Sequence, residues 1–237
     1  MQGWRLFIVL FAVALSAAAQ TAPPPPPPPP PLPSRPTELR PNMRLSISAL
    51  DQAEAAIAER DFRKAERLLL PLVEVPKPDP RAVADLAYAY SMDGAPELAI
   101  ANYRRAMTLK PGDFQITFNL ALLLIERNDP EGEQLLRTAI TLDASGPARA
   151  RAWIALGQLL EPRDAKGAID AFREAIKLDR KSPEPHVLLA LTFEKQKDFA
   201  AAEEAITGAL ARDPKHANAL AVLVNVAIEA ASTTGVV

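Results

Sequence analysis

The side chains best suited to acid–base or metal chemistry in this sequence are its two histidines, His186 and His216. They stand 30 residues apart, and neither has further ligands at the spacing a metal site needs. The chain contains no cysteine, which removes thiol nucleophiles, thiolate metal sites and disulfides. It carries no glycine-rich phosphate loop and no Gly-x-Ser-x-Gly turn. Glu97 and the Glu203-Glu204 pair read as solvated charge on helix surfaces. These patterns specify no catalytic residue, no metal site, no cofactor and no small-molecule substrate, so the chain is expected not to be an enzyme. With 27 Lys and Arg against 29 Asp and Glu, and few aromatics outside any basic stripe, nucleic acid is excluded as a partner.

The spacing that carries information is apolar. Leu86-Ala87-x-x-Tyr90 returns as Leu120-Ala121-x-x-Leu124, Leu156-Gly157-x-x-Leu160 and Leu189-Ala190-x-x-Phe193, about every 34 residues. A second pattern follows each copy, in which Ala99, Gly132, Ala168 and Ala202 precede the large residues Tyr103, Leu136, Phe172 and Ile206. A period of this length predicts paired antiparallel helices stacked into a solenoid. The small residues let the two helices of a pair approach, and the large ones fill the space between adjacent pairs. Gly157 costs about 1 kcal/mol in a helix relative to Ala, which is explained if a side chain there would clash. His186 occupies the position of Trp153 one repeat earlier and reads as a packing residue; His216 lies at a repeat boundary. Asp79-Pro80, Asp129-Pro130, Ser182-Pro183 and Asp213-Pro214 each predict a capped helix start with Pro in the first turn.

The elements before the repeats have a different composition. Residues 1–19 read as a secretory signal peptide, with Arg5, an apolar run from Leu6 to Leu15, and Ala17-x-Ala19 ahead of cleavage at Gln20. The run is shorter than the roughly 20 residues of a membrane span; retention as an N-terminal anchor is the alternative, and only then is membrane contact expected. Loss of Arg5 leaves 26 basic and 29 acidic residues, a net charge of −3. Residues 20–43 form a proline-rich linker whose nine consecutive prolines, Pro23 to Pro31, are expected as extended polyproline II. It is read as a stiff spacer, with a ligand for an aromatic-lined groove as the alternative. Residues 44–231 hold the repeats, at about 45–79, 80–113, 114–146, 150–182 and 183–216, with a terminal helix over 217–231. Residues 147–149 read as an insertion and 232–237 as a flexible tail. Pro71 should kink or end its helix.

Trp153-x-x-Leu156-Gly157-x-x-Leu160, followed by Ala168-x-x-x-Phe172-x-x-Ala175, resembles the tetratricopeptide repeat (TPR) pattern. Ala106-Met107-Thr108-Leu109-Lys110-Pro111 and Ala175-Ile176-Lys177-Leu178-Asp179 resemble the family's closing segment. Gln52, Ala144 and Arg180 depart from it: Gln52 stands where a Leu is expected, and Ala144 and Arg180 replace the closing Pro. The resemblance implies an all-α fold, a right-handed α-solenoid of about five TPR helix-turn-helix repeats plus a terminal capping helix. Leu220, Leu223 and Val224 are expected to bury the last repeat's open face.

The resemblance also implies that the first helix of each pair lines a concave surface. The partner-binding residues are then Arg81, Tyr88, Phe118, Leu122, Arg151, Ile154, Gln158, Val187 and Leu191. An apolar centre with a polar rim suits an apolar helix or extended segment of a protein or peptide partner. Some members of the family hold a C-terminal carboxylate with Lys and Asn. Ala84 and Tyr88 stand at two of those positions and Asn119 alone matches, which argues against that mode. The expected function is that of an exported binding scaffold in the bacterial periplasm or outside the cell. The alternative is a structural subunit of a larger envelope or secretion assembly without a discrete groove.

Overall fold

A computed structural model describes residues 48–234, which form one compact unit of eleven α-helices; no strand occurs among the described residues. The signal segment and proline-rich linker read above lie outside the described residues. The helices pair in chain order. The pairs are α1 (Ala49–Ala58) with α2 (Phe62–Val73), α3 (Pro80–Met92) with α4 (Pro96–Leu109), and α5 (Phe114–Glu126) with α6 (Glu131–Thr141). They continue as α7 (Gly146–Leu160) with α8 (Ala165–Leu178), then α9 (Glu184–Lys195) with α10 (Phe199–Leu210). The last helix, α11 (Ala217–Thr234), packs on α10 and α9. The substantial contacts that skip a helix all join first helices: α1 with α3, α3 with α5, and α9 with α11. At both ends of the array, first helices therefore approach one another on one face.

Local chemistry sets the helix starts. Ser48 and Asp51 form a reciprocal capping box at 3.1 Å on α1. Asp61, Asp79, Asp113, Ser145, Asp164 and Asp198 cap α2, α3, α5, α7, α8 and α10 by accepting a backbone N–H of the first turn. Of the four acid-or-Ser–Pro pairs, Asp79-Pro80 starts its helix as expected. Asp129 accepts from Glu131 N–H at 2.9 Å with Pro130 at the cap position, and Ser182 makes no cap because Pro183 takes that place. Asp213-Pro214 forms a turn instead, and His216 starts α11, its Nδ1 accepting from Ala219 N–H at 3.2 Å. Residues 147–149, read as an insertion in the repeat register, lie in the first turn of α7, capped by Ser145. Helix α2 runs two residues past Pro71. The Val73 carbonyl near its end accepts from Arg105 Nη2 at 2.7 Å, and the Arg180 carbonyl accepts from Arg212 Nε at 2.9 Å in the same manner.

Packing follows the repeat ladder. Leu69, Tyr103, Leu136, Phe172 and Ile206 are all buried, as are Ala65, Ala99, Gly132, Ala168 and Ala202. A Cβ on Gly157 would stand 2.8 Å from Cδ1 and Cζ of Phe172, so the glycine permits the α7–α8 approach. The core divides into two main clusters. One joins α1–α4 with Ile116, Leu120, Leu123 and Leu124; the other joins α6–α11 with Phe114, Phe118 and Ala121. Helix α5 contributes to both and is buried on two sides.

Helix α11 corrects one expectation. Ala219, Val222 and Val226 are the residues it buries, with Leu223 half-buried, while Leu220 and Val224 face outward. The burying face is rotated from the expected one because the contact runs to both α9 and α10.

Candidate functional site

The face expected to meet a partner draws on α3, α5, α7 and α9. Its N-terminal end centres on α3. Arg81 lies 3.9 Å from Glu54 and 3.4 Å from Asp79, so the expected basic edge is enclosed by carboxylates. Asp85, one turn further, is mostly buried. Burial, and then Glu54 and Asp79, push its carboxyl up to about 7 against the opposing pull of Arg81. Glu54 Oε1 and Asp85 Oδ2 are buried without a hydrogen-bond partner. The sequence reading missed both residues. Asp85 is the polar residue in an otherwise apolar turn, Val83-Ala84-Asp85-Leu86-Ala87, and that break in pattern was the available signal.

Tyr88 is half-buried and meets the Phe62 ring edge-on at 6.2 Å, which ties α3 to α2. Burial holds its phenol above the ordinary value, with Arg60 opposing. Ser91 donates to the Tyr88 carbonyl at 2.7 Å. Beneath this end, Tyr103 is fully buried, and its hydroxyl accepts from Asn119 Nδ2 at 3.2 Å. Asn119 Oδ1 accepts from Gln115 Nε2 at 2.8 Å. Both ends of the Asn119 amide are thus engaged within the array, which agrees with the argument against a carboxylate clamp.

The middle of the face is formed by α5 and α7. Phe114 and Phe118 stack at 5.5 Å with planes 12° apart. The Arg151 guanidinium carbon lies 6.0 Å from the Phe118 ring centroid, a cation–π contact that bridges the two helices. Arg151 is half-buried, burial lowers its pKa, and no carboxylate pairs with it among the described residues. Leu122 is half-buried and Gln158 exposed. Phe118, Ile154 and Val187, expected as contact anchors, have exposures of only 6, 8 and 7% and belong to the buried core. At the C-terminal end Leu191 and Glu194 are half-buried; burial, then the charge of Glu229, raises the Glu194 carboxyl.

The histidines are not brought together. His186 packs where a Cβ on Gly208 would meet its Cε1 at 2.7 Å, and burial followed by the charge of Arg212 lowers its pKa to about 4. His216 serves as a helix cap.

An array of stacked helix pairs whose first helices share one face is an α-solenoid. Tetratricopeptide repeat models match residues 50–114 and 159–223, so the chain is a TPR solenoid with repeats in both halves. No curated protein sequence matches it. Among solved structures, it is similar to PilF of Pseudomonas aeruginosa, with TM-score 0.67 and 20% identity over 79% of this chain and 83% of that one. It is also similar to MamA of Desulfovibrio magneticus RS-1, with TM-score 0.61 and 19% identity over 71% and 95% of the two chains. A third similar structure is YrrB, described as a TPR protein with an unusual peptide-binding site, with TM-score 0.58 and 16% identity over 73% and 88%.

Proposed function

We propose that this chain is a non-catalytic scaffold that holds a segment of a partner protein on the face shared by its first helices. The observation that carries this reading is Arg151: a half-buried guanidinium laid on Phe118 with no carboxylate partner among the described residues. A charge-assisted hydrogen bond donated by the guanidinium to a bound carboxylate or carbonyl oxygen would complete it. Asp85 Oδ2, buried without a hydrogen-bond partner, and the Glu54 and Asp79 carboxylates around it, which Arg81 faces, favour a basic side chain on the same segment, and Leu122 and Leu191 supply apolar contact. The peptide-binding site described for YrrB gives this use a precedent on a similar fold. We further propose that the chain acts after export, in a bacterial periplasm or outside the cell, on the strength of the signal-like residues 1–19 and the spacer behind them.

The test is capture by crosslinking from envelope and culture fractions, comparing the parent chain with Arg151→Ala and with Leu122→Asp/Leu191→Asp. We expect one small set of proteins to be retained by the parent and lost by both variants, while far-ultraviolet circular dichroism stays unchanged. Equal capture by all three chains refutes groove binding. Loss of helicity in the double variant would show that Leu122 and Leu191 belong to the core, leaving Arg151→Ala to decide.

A further inference from the structure

Helix α11 carries an apolar face that the fold leaves open. Leu220, Val224 and Ile228 are 42, 56 and 60% exposed and form one stripe, at i, i+4 and i+8. The other large exposed apolar side chains, Val75, Leu98 and Leu109, do not recur on one face in this way, and single exposed apolar residues are ordinary. The stripe has a definite place in the repeat. Val224 lies 34 residues after Ala190, and Leu220 lies 34 after His186. Ala190 is buried and His186 packs on Gly208 of α10. At Leu220 and Val224 the exposed face of α11 is therefore the one that, in α9, is covered by the second helix of the pair. Helix packing is the geometry this surface is built for.

Its residue pattern identifies the occupant. Around Val224 the face is symmetric in both position and type: Ala221 and Ala227 stand three residues to either side, and Leu220 and Ile228 four. At 100° per residue, these four lie within about 60° of Val224. Between Lys215 and Glu229 the helix carries no Asp, Glu, Lys or Arg. In an antiparallel two-fold contact residue i meets j and j meets i, so a face with this symmetry about Val224 sets like residue against like. We propose that α11 is a self-association surface whose occupant is α11 of a second copy, antiparallel, with the two-fold axis at Val224. Val224 then meets Val224, Leu220 meets Ile228, and the alanine layers between them let the helices approach to about 8 Å.

The contact is small. An 18-residue helix is about 27 Å long, and a single helix pair buries less than the roughly 800 Å² per partner of a standard interface. The association is accordingly weak and transient.

Sedimentation equilibrium of the full chain and of residues 47–237, the compact unit holding both cores, tests this from about 5 to about 500 µM. We expect a reversible monomer–dimer equilibrium in both. Val224→Glu and Val224→Lys should each be monomeric across the range with unchanged helicity, because Val224 points away from the core. An equimolar mixture of the two variants should recover a heterodimer, since only a two-fold contact places position 224 opposite itself. A wild-type monomer at the highest concentration overturns the proposal. So does a dimer indifferent to both substitutions, or a mixture that stays monomeric. A dimer of residues 47–237 that the full chain does not form would identify the N-terminal segment as the occupant, and would overturn it too.

Discussion

The glycine at position 157 shows how a single residue sets the distance between two helices. Its missing Cβ makes room for the Phe172 ring, which is itself buried and cannot swing aside. Alanine there would gain about 1 kcal/mol of helix propensity but lose about 1–3 kcal/mol to overpacking. Gly157→Ala should therefore lower stability by up to about 2 kcal/mol in urea denaturation. Gly208→Ala should do less, because the half-buried His186 ring it would meet can shift. Equal effects at the two sites would show that the buried phenylalanine gives way as easily as the histidine. The small–large ladder was legible because both members recur in register. Asp85 and Glu54 were not, since neither recurs from repeat to repeat and their effect arises only when α1 and α3 come together.

At the scale of elements, the inner turns follow a rule that the composition hides. Arg60, Gly94 and Asn128 stand 34 residues apart and all have positive φ, at 63°, 81° and 57°; Lys197 does the same in the last pair at 61°. Position 162, next in that series, is proline. Proline cannot adopt positive φ, and the turn after α7 closes instead with Arg163 and Asp164 N–H groups donating to the Leu160 carbonyl. The sequence reading placed turns at Asp93-Gly94 and Lys197-Asp198, yet only the glycine signals a left-handed residue by its type. A side chain in that region costs about 1–2 kcal/mol, partly offset because glycine adds about 0.4–1 kcal/mol of unfolded-state entropy. Lys197→Gly should thus stabilise by roughly 0.5 kcal/mol, and Asn128→Gly by less, since asparagine tolerates the conformation. Thermal melts of both variants check the order, and destabilisation by Lys197→Gly would refute the strain. Helix α11 shows the converse limit. Its apolar residues were evident, but with large and small ones spread around most of its circumference, only its contacts with both α9 and α10 decide which arc is buried.

Across the whole molecule, the two core clusters place opposite titrations at opposite ends of the array. Asp85 belongs to the N-terminal half, facing Glu54, Arg81 and Asp79; its folded carboxyl titrates at about 7 against an ordinary value of 3.8. Between those values the folded state holds a proton that the unfolded chain has released. The N-terminal repeats therefore gain stability as pH falls from about 7 towards 4, fully so below the unfolded value. His186 belongs to the C-terminal half beside Arg212, with its pKa lowered from 6.5 to about 4. In that window the unfolded chain binds the proton and the folded one does not, so His186 costs the C-terminal repeats stability as pH falls from about 6.5, against an opposing gain from the Glu194 carboxyl, which is raised less far. A solenoid couples only neighbouring repeats, so the two responses need not average. Hydrogen exchange at pH 7.5 and pH 5, corrected for intrinsic rates, should show protection rising in α3 and α4 and falling in α9 and α10. Asp85→Asn should abolish the first change alone and His186→Leu the second alone. If both halves move together in the wild type, the array unfolds as one cooperative unit across α5, and the independence inferred from its two cores is lost.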